Sequence, residues 1–187
     1  MRKLKLQMQL SVDGFVCGPN GELDWMTWQW DDQLTAYANE LTHSFDTILL
    51  GRNMTDGFIG HWTDIVQNHP DSPDYAAAKV FVETPKVVFT KTLTQSVWVN
   101  TSLAKNDLAE EVKRLKNQPG RDMIVYGGAT FVASLIEARL IDELHLFINP
   151  AAIGAGLRIF TGKTPMRLAA STAFACGIVV NQYAFLP

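Results

Sequence analysis

Residues 122–131, Asp-Met-Ile-Val-Tyr-Gly-Gly-Ala-Thr-Phe, constrain this chain more than any other segment. A short apolar run, Met123 to Tyr126, stops at two glycines, and a helical pattern follows at once over Ala129 to Ala138. This is a strand feeding a helix through a corner without side chains. Gly127 and Gly128 lack the Cβ atoms that would hold a ligand off the backbone, and a helix beginning at Ala129 aims its free N–H groups at the gap, which suits a phosphate. Two glycines also make a plain tight turn, so the anion reading depends on the other corners of the chain.

Local periodicity places those corners. Leu4 to Leu10 alternate apolar residues with Lys5, Gln7 and Gln9, the period of a half-buried strand, and Ser11-Val12-Asp13-Gly14 then breaks it. Asp31-Asp32 precede Leu34, Tyr37, Ala38 and Leu41, predicting a helix with an acidic cap that ends near Ser44. Asp46 to Leu50 reads as a buried strand running into Gly51-Arg52-Asn53, a second corner. The stretch Gly57 to Pro73, rich in Gly, Pro, His and Asp, reads as a long functional or mobile loop. Asp74 to Val82 predicts a helix, Lys86 to Thr90 a strand and Ser96 to Asn100 another. Asn106 is placed to cap a helix that turns Leu108, Val112 and Leu115 inward, and Glu143 to Asn149 reads as a strand. Met166 to Ala173 and Gly177 to Phe185 predict a terminal antiparallel pair. The sum is about eight strands and four or five helices: one α/β domain over residues 1–187, with a mixed, mostly parallel sheet covered by helices on both faces.

Composition removes several functions. With 187 residues, 47% of them hydrophobic, the chain can bury a substantial core. A formal charge of −3 and no Lys/Arg run argue against a nucleic-acid partner. Cys17 and Cys176 stand alone, so they read as reduced thiols in a cytoplasmic protein, and no apolar run is long enough for a membrane span. His43, His61, His69 and His145 form no ligand pair, so no metal site is expected. Neither GxSxG nor GxxxxGK[ST] occurs, and Gly154-Ala155-Gly156 is followed by Ile159 where a dinucleotide fingerprint needs its third glycine. What remains is a set of corners around one elongated anionic ligand. Gly51-Arg52 and Thr90-Lys91 each follow an apolar strand, which sets a cation at the carboxyl edge of the sheet, beside the corner at Gly127-Gly128.

In that order the motifs resemble the dihydrofolate reductase-like superfamily, in the branch similar to the C-terminal reductase domain of riboflavin biosynthesis, over essentially the whole chain. The resemblance is carried by Leu10-Ser11-Val12-Asp13-Gly14-Phe15, Leu50-Gly51-Arg52-Asn53-Met54-Thr55, Val125-Tyr126-Gly127-Gly128-Ala129 and Ile148-Asn149-Pro150-Ala151-Ala152-Ile153-Gly154-Ala155-Gly156. It implies NADPH as cofactor, with Arg52, Thr90 and Lys91 near the adenosine 2′-phosphate, Gly127, Gly128, Ala129 and Thr130 at the diphosphate, and Gly51 among the cofactor-binding residues. Ile153 and Gly154 would border the nicotinamide. It also implies hydride transfer to a C=N or C=O of a pteridine- or aminopyrimidine-like molecule, as in 5-amino-6-(5-phosphoribosylamino)uracil reductase.

A carboxylate held against tryptophan has a raised pKa and can deliver a proton, so Asp24 beside Trp25, and Asp31 or Asp32 after Trp30, are candidate donors. For Asp31 and Asp32 a helix cap is the alternative, and for Asp13, singled out by its motif, a turn. Trp25 and Arg158 are candidate substrate contacts, and Trp28, Trp30 and Trp62 would favour a flat aromatic substrate if they line one pocket. A catalytically idle NADPH-binding module of the same fold, or a dihydrofolate-type reductase, is the competing expectation. A homodimer through the terminal hairpin or the tryptophan-rich loop is a further one.

Overall fold

The computed structural model describes residues 1–186. The chain runs β1 (Leu4–Leu10), α1 (Asp32–Ser44), β2 (Phe45–Gly51), α2 (Arg52–Asn68), α3 (Tyr75–Glu83), β3 (Lys86–Phe89), β4 (Thr101–Ala104) and α4 (Leu108–Lys116). It continues through β5 (Asp122–Val125), α5 (Ala129–Glu137), β6 (Glu143–Ile148), β7 (Met166–Ala173) and β8 (Val179–Phe185). The eight strands form one sheet in the order β4-β3-β2-β5-β1-β6-β8-β7. All pairings among the first six are parallel, whereas β8 pairs antiparallel to both β6 and β7. The terminal hairpin predicted from the short 173–177 connection is thus present, with β7 at the sheet edge.

Two apolar layers hold the sheet. Leu4, Leu6, Leu49, Met123, Val125, Leu144 and Leu146 face α4 and α5 on one side. Ile48, Leu50, Val88 and Ile124 face α2 and α3 on the other, through Phe58 and Phe81. Fully burying a Leu or Ile side chain contributes roughly 1.5–3 kcal/mol, so the central strands, apolar on both faces, dominate the folding energy. The polar side of β1, which alternates with its buried leucines, is covered as well. Gln7 and Gln9 lie in register with His145 and Phe147 of β6, and α1 closes over this face through Leu34, Tyr37 and Leu41.

Three expectations are corrected. Residues 57–68 are not loop: they belong to the 17-residue helix α2. Met54, Phe58, Trp62 and Ile65 recur at helical spacing, and Phe58 (edge-on) and Trp62 (tilted) pack on Phe81, whose ring lies 5.8 Å and 4.6 Å from theirs. That burial outweighs the cost of Gly57 and Gly60, about 1 kcal/mol each in a helix interior. Ser96 to Asn100 is not a strand, because the Ser96 hydroxyl accepts from the Trp98 N–H at 3.2 Å and Asn100 takes a positive φ of 50°. Pairing with β3 begins only at Thr101. Asp107, and not Asn106, caps α4, accepting from the N–H groups of Ala109 and Glu110 at 2.9 and 3.1 Å.

Candidate active site

Parallel pairing brings the carboxyl ends of β3, β2, β5, β1 and β6 to one edge in that spatial order. Every segment predicted to bind cofactor leaves from this edge, where open α/β sheets bind ligands. Gly51 ends β2 opposite Phe89, so Arg52 starts α2 beside Thr90. Gly127 and Gly128 follow β5, the strand next to β2.

The glycine corners form one cradle. Gly127 (φ 156°) and Gly128 (φ 82°) adopt backbone that side chains disfavour, and a Cβ on Gly51 would sit 2.7 Å from Phe131 Cβ. A Cβ on Gly128 would lie only 4.0 Å from the Gly51 Cα, so the starts of α2 and α5 touch. Their N-caps, Gly51 and Gly128, make no side-chain hydrogen bond, while α1 and α4 are capped by Asp31 and Asp107. Two adjacent helix starts with unserved N–H groups favour an anion between them, which is a fit for a diphosphate.

At the β2–β3 end the chemistry is cationic. The Arg52 guanidinium bonds Asp56 Oδ2 at 2.8 Å and lies 5.2 Å from the Trp98 ring, whose Nε1 donates to Asp56 Oδ1 at 3.1 Å. Arg52 first, and the Trp98 N–H with it, hold the Asp56 carboxyl below its ordinary range. Lys91, two residues past the end of β3, is exposed. Thr90 is buried, and its hydroxyl accepts from the Thr92 and Leu93 N–H groups, both at 3.2 Å. It shapes this loop by accepting, and its own O–H proton is still available to donate. Thr130, in the first turn of α5, is exposed at the cradle.

The β1–β6 end is fastened by two polar side chains. Asp13 accepts from the Ser11 hydroxyl at 2.7 Å and from the Ile153 and Gly154 N–H groups at 3.2 and 2.8 Å. Its carboxyl is lowered to about 2, first by the Ser11 hydroxyl and then by the Gly154 and Ile153 amides. Asp13 therefore stays ionised near neutrality, which corrects its candidacy as a proton donor and makes it a latch between the two loops. Asn149 is fully buried; it accepts from the Thr27 N–H at 2.8 Å and donates to Gln9 Oε1 at 2.6 Å, tying the tryptophan loop to the sheet. Arg158 lies 4.0 Å over the Phe15 ring, beside Gly14.

The other predicted donors do not have the environment asked of them. Asp24 and Asp32 are exposed, so neither is held in an apolar site. Asp31 caps α1 through the Leu34 N–H at 2.9 Å and also accepts from the Cys176 N–H at 2.9 Å, which lowers its pKa. The tryptophans do not share a pocket: Trp62 is in the α2–α3 cluster, and Trp30 lies 5.8 Å from Phe147 under α1. Trp25, half-buried with its Nε1 bonded to the Glu22 carbonyl, and exposed Trp28 remain near the β1–β6 loops. Sequence does not single out Asp56 or Trp98, and shows Asn149 only within its motif, because the Trp98–Asp56 and Thr27–Asn149 bonds join segments far apart in the chain. Among the described residues no three His, Cys, Asp or Glu side chains converge on a metal position, and no helix is long and apolar enough to cross a membrane.

A mixed sheet of this order, parallel through β6 and closed by an antiparallel hairpin, is the dihydrofolate reductase-like fold. The dihydrofolate reductase of Enterococcus faecalis, solved with NADP(H), superposes on 99% of this chain and 97% of its own at a TM-score of 0.63 and 15% identity. The chain belongs to the RibD C-terminal domain family, whose model matches residues 2–180. The uncharacterized protein YyaP of Bacillus subtilis (strain 168) is 32% identical over 188 residues, 97% of this chain and 94% of that protein. The Thermotoga maritima diaminohydroxyphosphoribosylaminopyrimidine deaminase/5-amino-6-(5-phosphoribosylamino)uracil reductase matches 99% of this chain and 57% of its own, with a TM-score of 0.67 at 15% identity. Both of these solved structures are reductases, and their likeness to this chain is one of fold.

Proposed function

We propose that this chain is an NADPH-dependent reductase of a small pteridine- or aminopyrimidine-like molecule. The observation that carries the reading is the pair of touching, glycine-capped helix starts at Gly51 and Gly128, with Arg52 at their flank. Backbone N–H groups there would hold the diphosphate, and the Arg52 fork would hold the 2′-phosphate, with exposed Lys91 adding charge. Bound NADPH would supply the hydride for a C=N or C=O carbon.

The protein's own part is positioning. Asp13 fixes the Ile153 and Gly154 backbone at the end of β6, where the nicotinamide would border the loop. Arg158, at the Phe15 edge of that end, would take an anionic group of the substrate, and Trp25 would offer a flat face to its ring.

The test is a titration of tryptophan fluorescence with NADPH and with NADH, on wild type and Arg52→Ala. NADPH-selective quenching that weakens in the variant is expected. No response to either nucleotide would overturn the reading.

A further inference from the structure

One arm of the Arg52 fork is already engaged, so an arriving phosphate meets it beside a carboxylate. The guanidinium is bonded at 2.8 Å to Asp56, one helical turn further along α2, and the same carboxylate accepts the Trp98 N–H at 3.1 Å. Trp98 also backs Arg52 with its ring, 5.2 Å from the guanidinium carbon. Three groups from two segments therefore close on one another, and the carboxylate is fixed from both sides. The ordinary (i, i+4) surface ion pair has no such second anchor.

We propose that Asp56 is a specificity-determining residue of the cofactor site: it occupies the face of Arg52 that a 2′-phosphate would take, and so limits how strongly the chain separates NADPH from NADH. The inference rests on Arg52 being the anchor at the adenosine end. A phosphate dianion reaching Arg52 must either displace Asp56 or sit beside it, and a like charge at hydrogen-bonding range opposes binding. A nucleotide with a free 2′-hydroxyl meets no such opposition, because a carboxylate accepts from that hydroxyl. Asp56 is exposed on its outer side, so solvent and salt moderate the penalty without removing it.

The experiment compares wild type with Asp56→Asn, an isosteric change that keeps an acceptor for the Trp98 N–H and removes the charge. Binding of NADPH, NADH, 2′,5′-ADP and 5′-AMP is measured by calorimetry at fixed ionic strength, with circular dichroism melting as the control for folding. Asp56→Asn is expected to tighten NADPH and 2′,5′-ADP by roughly tenfold, the size of a partly screened charge contact, and to leave 5′-AMP and NADH unchanged or weaker. Unchanged or weaker binding of the 2′-phosphorylated ligands by Asp56→Asn, where wild type binds them, would overturn the proposal and make Asp56 a support for Arg52. If neither protein binds any of the four, the cofactor reading itself falls and takes this inference with it, an outcome distinct from the previous one.

Discussion

Replacing Asn149 with alanine tests how the end of β6 holds the tryptophan loop. Asn149 is fully buried, and its amide links the Thr27 N–H at 2.8 Å to Gln9 Oε1 at 2.6 Å. Alanine leaves that N–H and that carbonyl without their partner at once. Each buried polar group orphaned this way costs about 1–3 kcal/mol; Thr27 and Gln9 are only half-buried, so the pair should cost roughly 2–4 kcal/mol. For a chain of this length each kcal/mol shifts the melting temperature by roughly 2–4 °C, which predicts a loss of about 5–15 °C. Thermal denaturation followed by far-ultraviolet circular dichroism measures this, and tryptophan emission reports whether Trp25 and Trp28 become more solvated. Asn149→Asp separates the two effects: it keeps an acceptor for Thr27, so emission should remain native even where a buried charge lowers stability. An alanine variant that melts with the wild type and keeps its emission would refute the anchoring role.

Two further expectations concern α2 and the β3 start. Gly57 and Gly60 lie inside α2 with open space where a Cβ would project, so Gly57→Ala and Gly60→Ala should each stabilise by about 0.5–1 kcal/mol in urea unfolding. A loss of stability would show that this segment is not helical. Lys86 is 3% exposed, and burial lowers its pKa from 10.5 to about 8, although its bonds to the Val82 and Thr84 carbonyls at the end of α3 favour the charged form. The unfolded chain then binds more protons than the folded one between about pH 8 and 10.5, so this residue's contribution to stability rises with pH across that window. Between pH 7.5 and 9.5 wild type should gain at most about 2 kcal/mol on Lys86→Met, and parallel pH profiles for the two would sink the argument.

What could be read from the chain was whatever local pattern encodes. The alternation in β1, the Asp31 cap and stripe of α1, and the terminal hairpin lie where their periods place them. The strand-glycine-glycine-helix corner does so too, because period and turn chemistry act over a few residues. Helix α2 was hidden for the opposite reason. Its two glycines and polar residues look like loop, and the partners that force the helix, Phe81 and Tyr126, come from α3 and from the end of β5.

The site divides along the same line. Which residues stand at the carboxyl edge follows from sequence, since each glycine corner or cation comes directly after an apolar run. What each of them does was decided by contacts between segments far apart in the chain. Asp13 is a latch because the Ile153 and Gly154 amides, 140 and 141 residues away, point at it. Trp62 and Trp30 pack into the core clusters because α2 and α1 carry them there, and the Arg52–Asp56 pair, local to α2, is fixed because the fold brings Trp98 to its carboxylate. A side chain's charge state and partner are set by what surrounds it in space, and one-dimensional spacing carries only the part of that environment that lies within a helical turn or a strand's alternation.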